Sequence, residues 1–292
     1  MATPSTNTTK VSALKSEPNA PEAAIPTSSQ QWQWGLVWGL LSPVFLGIVP
    51  ILAKVAYAAG VNVLTLVAFR TGIAAALLWL GMLLFKRQFI RSSLPAVVGS
   101  LIAGAINGLG SLFFYTSLTR IDASLGQLVN ISYLVFVTVF LRLAGQKISL
   151  LTIFRTGLTI GAIYLLTHGG AGPADWLGVG MMLFAAVTYA LQLVLSQRIM
   201  LDIPAPTMTL YAITAMAVVV TIAWFFAPTD LRLVSTAGWE AIGLMALVTA
   251  LSRLTLFLGV KAMGSIQTAL LGVFEVVVTI VIAAVFLDER LT

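Results

Sequence analysis

The stretch "FFYTSLTRIDASLGQLVNISYLVFVTVFLRLAGQKIS" at Phe113–Ser149 has a distant echo in "LFLGVKAMGSIQTALLGVFEVVVTIVIAAVFLDERLT" at Leu256–Thr292. Both run in the same order: a helix end, a tight turn, a long apolar helix and a short charged turn. Identity is low, so the pattern carries the comparison, at an offset of 142 to 143 residues. In the first copy "GQKIS" leads into another apolar run. In the second copy "DERLT" is the end of the chain, where the pattern predicts a tenth helix.

The rest of the chain is read outward from that repeat. Hydrophobic residues are 59% and charged residues 9% of the 292, with a mean hydropathy of +1.00. A soluble domain carries about 25% charged residues, so the composition predicts an integral membrane protein. A crossing takes roughly 20 apolar residues. Nine such runs are predicted, near 35–58, 62–85, 94–117, 122–143, 149–168, 174–197, 205–226, 238–260 and 265–287. Residues 1–34 are rich in Ser, Thr, Pro and Ala and read as a disordered tail. Trp32, Trp34 and Trp38 mark the water–lipid boundary after it.

Alternate loops differ in charge. One set holds Lys86, Arg87, Arg91, Arg142, Lys147, Arg198 and Lys261, and the other holds Arg120, Arg232 and Arg290. The positive-inside rule then places the N-terminus in the cytoplasm. The fold expected is all-α: a polytopic membrane protein with an inverted repeat of two five-helix units, nine helices present and the tenth missing. The units are 35–169 and 174–292. An odd number of crossings per unit inverts the second, as in many secondary transporters, whose site lies between the units.

Five charges fall inside the spans: Lys54, Arg70, Arg155, Arg253 and Glu275. Each costs about 2.5–3.5 kcal/mol at a bilayer centre and is expected to face the bundle interior or a wet cavity. Lys54 either snorkels outward or joins Pro43, Gly47 and Pro50 in a cavity-lining stripe. Arg155 is close enough to a helix end to snorkel. Arg70 lies too deep for that, and is either a structural clamp or a substrate ligand. Arg253 and Glu275 lie at similar depths on helices 8 and 9. They form either a permanent salt bridge or a proton-driven switch that couples or gates transport. Their counterparts in the first unit are Ser111 and Ser132.

Neutral polar residues add helical stripes. These are Asn107, Ser111 and Tyr115; Ser124, Gln127 and Asn130; Tyr189, Gln192 and Ser196; and Thr268, Gly272, Glu275 and Thr279. Interhelical hydrogen bonding explains part of this; four inward-facing stripes point to a polar cavity. The substrate-binding set expected is Arg70, Lys54, Asn107, Tyr115, Gln127, Asn130, Tyr189 and Gln192. Gly104/Gly108 and Gly157/Gly161 have the spacing of close helix packing. No cysteine is present, and there is a single histidine, His168, at a helix end. No P-loop, metal-ligand motif or nucleophile–base set is found, so neither an enzyme nor a cofactor or metal is expected. The cations are spread thinly over loops, which does not suit a nucleic-acid partner.

These features resemble the drug/metabolite transporter superfamily, specifically the EamA-type transporters. "ILAKVAY", at the end of helix 1, is similar to that family's apolar helix with a late lysine, and "AFRTGIAAALLWL", within helix 2, to its phenylalanine-arginine and alanine-rich pattern. "YTSLTRIDASLGQLV" and "LGVKAMGSIQTALLGVFE" resemble its alanine–serine turns, and "LDERLT" its charged signature. The chain departs from the pattern in having "LSPVF" in helix 1 and Val276 where a proline is usual. The resemblance implies two five-helix repeats and a secondary transporter, an exporter or permease, of small polar metabolites such as amino acids or organic acids. A sugar-phosphate or nucleotide-sugar carrier, or a non-transporting scaffold or receptor-like protein, is the alternative. The expected setting is the plasma (inner) membrane, with the bilayer and a small molecule as partners. A homodimer stays open.

Overall fold

The computed structural model describes residues 29–145, 154, 157, 161, 175–227, 231 and 234–286. Of the expected span at 149–168 only residues 154, 157 and 161 are described; Arg155, His168 and the "LDERLT" turn lie outside the described residues. So does most of the expected tail, although α1 (Ser29–Ala58) already begins ahead of the boundary at residue 34. Its first turn is polar and extends the helix beyond the apolar stretch.

Helices α2 (Val63–Phe85), α3 (Leu94–Ser117), α4 (Ala123–Asn130) and α5 (Tyr133–Leu143) complete the described part of the first unit. Helices α6 (Trp176–Ile199), α7 (Ala205–Phe226), α8 (Thr236–Met263), α9 (Ser265–Leu271) and α10 (Val273–Phe286) form the second. Together they give eight apolar spans among the described residues, with α4–α5 and α9–α10 each making one span. The helix starts are set locally. The Asn62 side chain accepts from Leu64 N, Asp175 from Leu177 N and Gly178 N, and Ser235 from Gly238 N. Such caps satisfy amide groups that a helix N-terminus leaves unpaired. At the α8–α9 turn the backbone of Gly264 has φ 87°, which favours glycine.

Side-chain contacts fix the direction of each helix. Ser235, at the start of α8, donates to Ala59 O at the end of α1 (3.2 Å). At the other end, Gly39 packs on Gly259 and Met263. α1 and α8 are therefore antiparallel. Ser117 donates to Gly178 O (2.7 Å) while Gly99 meets Ile199, so α3 and α6 are antiparallel too. Trp224 donates to Thr65 (3.3 Å) and Trp79 to Thr214 (3.0 Å), which sets α2 against α7 in the same way. First helix meets third, second meets second, third meets first. A two-fold relation between the units produces that pattern, and α6 runs opposite to α1, so the second unit is inverted.

α5 ends on the face where α1 begins, and α6 starts from the opposite face. Lys86, Arg87, Arg91, Arg142, Arg198 and Lys261 gather on the face of the α1 N-terminus, whereas Arg120 and Asp175 lie on the other. Gly104 and Gly108 let α3 approach the backbone of α7 at Ala212 and Met216. Gly157 and Gly161 differ from that expectation: both are exposed, with open space where a Cβ would stand.

The fourth span of each unit is broken, where continuous helices were expected. α4 gives way to α5 through Ser132 N→Val129 O and Leu134 N→Ile131 O, both 3.1 Å. α9 gives way to α10 at Gly272, with Glu275 N→Gly272 O at 2.9 Å. These i→i−3 bonds tighten each helix locally, a feature often found at hinges. The breaks meet: Tyr133 donates to Ala269 O (3.2 Å), and its hydroxyl occupies the place a side chain at Gly272 would need.

Candidate substrate site

A cavity lies between the units. α1 contributes Leu46 and Val49, α3 contributes Phe114, and Ala185 of α6 lies opposite, so part of the wall is apolar. Pro50 has no N–H to give the Leu46 carbonyl. The expected stripe of Pro43, Gly47 and Pro50 is buried elsewhere. Gly47 packs on Glu275 O and Val278, and its carbonyl accepts from Thr279 (2.8 Å).

Arg70, 3% exposed, projects from α2 into the cavity wall. Its guanidinium lies over the Tyr115 ring at 4.3 Å, and Nη1 donates to Thr249 Oγ1 at 2.8 Å. Its Nε is buried with no hydrogen-bond partner. Tyr115 is held in turn by Tyr57, whose hydroxyl donates to Tyr115 O (2.9 Å). The second cation, Arg253 of α8, is half-buried. It lies 5.5 Å from the Tyr189 ring centroid, and its Nη1 is 3.5 Å from Gln192 Oε1.

Of the residues expected in the site, Arg70, Asn107, Tyr115, Asn130, Tyr189, Arg253 and Glu275 stand in the cavity wall. Asn107 also donates to Met216 Sδ (3.3 Å). Gln192 stands behind Arg253. Gln127 is 1% exposed beside the Glu275 carboxyl, with both amide atoms short of hydrogen-bond geometry. Lys54 is elsewhere. Its ammonium donates to Ile121 O (2.8 Å) and holds the α3–α4 turn.

Arg253 and Glu275 are not a salt bridge. Among the described residues the ion pair found is Arg120–Asp175, 2.5 Å, at the surface. Equal depth did not bring the pair together because Arg253 turns toward α6. Glu275, just past the break at Gly272, turns toward α4. Thr249 and Ser252 line the cavity although they were not expected there. Thr249 lies three residues before Ser252 and four before Arg253 on α8, the same helical spacing as the stripes named above.

The wall thus offers two guanidinium groups, one carboxyl group, neutral hydrogen-bonding groups and aromatic rings. The arginines can grip an anionic group, and Asn107, Ser111 and Asn130 can orient it. Glu275 has no second carboxylate or histidine beside it among the described residues, so no metal-ligand cluster is assembled. Outside the membrane, the Asp175 carboxyl is held below its ordinary range by hydrogen bonding from Arg120 and from the amides of Gly178 and Leu177.

The family model of EamA-like transporters matches residues 33–168 and again 176–292. The chain belongs to the EamA-like transporter family. It is therefore a multi-pass membrane transporter of the drug/metabolite transporter superfamily, in a family of transporters, not enzymes. Its partners are a small-molecule substrate and the lipid bilayer. The two matched segments are the two repeats of that architecture. A crystal structure of a protein 17% identical to this EamA-like transporter superposes with a TM-score of 0.69 over 91% of each chain. At that identity the likeness is one of fold. No curated protein matches the sequence.

Proposed function

We propose that this EamA-like transporter moves small carboxylate-bearing metabolites, amino acids or organic acids, by alternating access between its two units. The observation that carries this reading is the placement of Arg70 and Arg253 on one cavity between the units. A buried guanidinium binds a carboxylate through a planar fork. A cavity at the interface of inverted units is where rocking of one unit against the other would expose a substrate to each side.

The protein sits in the plasma (inner) membrane with its N-terminus in the cytoplasm. The support is the cluster of six cations on the face where α1 begins. Since the chain has no cysteine, single substitutions Arg91→Cys and Thr119→Cys report orientation. The first should label with an impermeant maleimide only from the cytoplasm, the second only from outside. The reverse labelling would overturn the orientation.

The functional test is uptake of a labelled metabolite panel into proteoliposomes. Transport of amino or organic acids is expected. Transport confined to sugar phosphates or nucleotide sugars would move the substrate class. Silence across the panel by folded protein would favour a scaffold.

A further inference from the structure

Binding of an anion by the two arginines leaves Glu275 without a task. This side chain is 5% exposed, in the first turn of α10, and its Oε2 is buried with no hydrogen-bond partner. Arg253 shares the cavity but is not within ion-pair distance. Gln127 lies beside the carboxyl with neither amide atom engaged. The ionisable groups facing Glu275 are Arg253 from α8, Tyr189 from α6, Tyr115 from α3 and Tyr133 from α5. Arg70 of α2 stands across the same cavity. α1 meets it at Gly47, and the α1 cation Lys54 is held at Ile121 O.

A bare carboxylate buried in a membrane span is expensive. Two arrangements avoid that cost here: Arg253 swings onto the carboxylate, or the carboxylate takes a proton. Only the second leaves Arg253 available to a substrate, and it is the arrangement that fits the geometry seen. Arg253 is loosely held, at 3.5 Å from Gln192 and 5.5 Å from the Tyr189 ring, so the swing breaks little.

We propose that Glu275 is the coupling-proton site, and that the proton and the substrate carboxylate load together. One proton from bulk water adds to the Glu275 carboxylate beside the Gln127 amide. Arg253, released, receives the substrate's carboxylate. On the far side the substrate leaves, the proton returns to water, and the Arg253–Glu275 pair re-forms for the empty return. The stoichiometry is one proton per carboxylate in the same direction: symport. The scheme rests on the carboxylate reading of the cavity.

The test uses acetate as the probe, added to the purified full-length protein in lipid nanodiscs. Acetate binding is followed calorimetrically, and proton uptake with an indicator dye in weakly buffered solution. At a pH above that at which the ligand-free carboxylic-acid band described below vanishes, wild type should take up about one proton per acetate bound, whereas Glu275→Gln should bind acetate and take up none. Binding by wild type without proton uptake overturns the coupling and leaves the carboxylate reading intact. No acetate binding at all overturns the carboxylate reading, and the coupling with it. A second measurement needs no ligand. Infrared difference spectra should show a carboxylic-acid C=O band that Glu275→Gln lacks. The band should vanish on alkaline titration of wild type but persist to higher pH in Arg253→Met, where the loosely held cation that replaces the proton is gone. Identical behaviour of the band in both proteins would overturn the link between Arg253 and Glu275.

Discussion

The two cavity arginines are the same device built to different tightness. Each lays a guanidinium on a tyrosine ring and reaches a neutral polar partner on a neighbouring helix. Arg70 does so at 4.3 Å from the ring and 2.8 Å from Thr249, almost fully buried. Arg253 does so at 5.5 Å and 3.5 Å, half-buried. The first is fixed in position by contacts on both sides. The second has room to change partners. In the alternating-access scheme proposed above, the fixed group would define the site and the movable one would report occupancy.

Removing the fixed member should have the largest effect. Truncating one side of a buried charge pair costs about 2–5 kcal/mol, so Arg70→Ala should weaken carboxylate binding by roughly thirty-fold or more. Comparable uptake KM in wild type and Arg70→Ala would remove Arg70 from the site. Lysine at each position sharpens the comparison. Arg70→Lys should raise KM more than Arg253→Lys, because a lysine cannot lie flat on Tyr115 while donating to Thr249. Equal losses would mean that the two arginines are equivalent.

The broken fourth spans give a smaller, structural effect. Gly272→Ala drives a methyl into the Tyr133 hydroxyl, and overpacking of this kind costs about 1–3 kcal/mol. Thermal unfolding should fall by several degrees and recover in the Tyr133→Phe, Gly272→Ala double variant. Failure to recover would mean that the breaks do not touch through that hydroxyl.

The six cations and the Pro43–Gly47–Pro50 stripe were equally visible in the sequence; the cations do share one face, whereas the stripe does not line the cavity. Loop charge and span length follow from composition, and the direction of the second unit follows from counting crossings. Helical spacing also placed Asn107, Tyr115, Asn130 and Tyr189 on inward faces, which the cavity wall contains. The breaks at Ile131–Ser132 and Gly272 were not legible, because hydropathy is continuous through both. Neither was the separation of Arg253 from Glu275. Depth along a helix can be counted from a turn, whereas azimuth depends on which neighbour a broken helix leans on. Lys54 misled because a snorkelling lysine and one capping an adjacent turn occupy the same depth.

Lys54→Met tests that last point. It removes a hydrogen bond to Ile121 O, worth at most about 1.5–3 kcal/mol for a charged donor and less for this partly exposed side chain. Stability should drop slightly with the uptake KM unchanged; a changed KM would return Lys54 to the site. The smallest effect belongs to Asp175. Its carboxyl is held below the ordinary range in the folded protein. The stability it contributes is therefore present above the unfolded value near pH 4 and is lost as pH falls through the folded value. Asp175→Asn should flatten that acid limb of a stability–pH curve by slightly lowering the plateau at neutral pH, with stability below the folded value unchanged.

The most direct measurement of the central claim is counterflow in proteoliposomes, comparing each amino or organic acid with its own amide. An amide keeps the size of the acid but replaces one acceptor oxygen with an NH2 donor and carries no negative charge for Arg70 and Arg253 to grip. The expected result is exchange of the acids and exclusion of the amides. Amides carried as fast as the acids would contradict the assignment of the two arginines as the substrate's anchors.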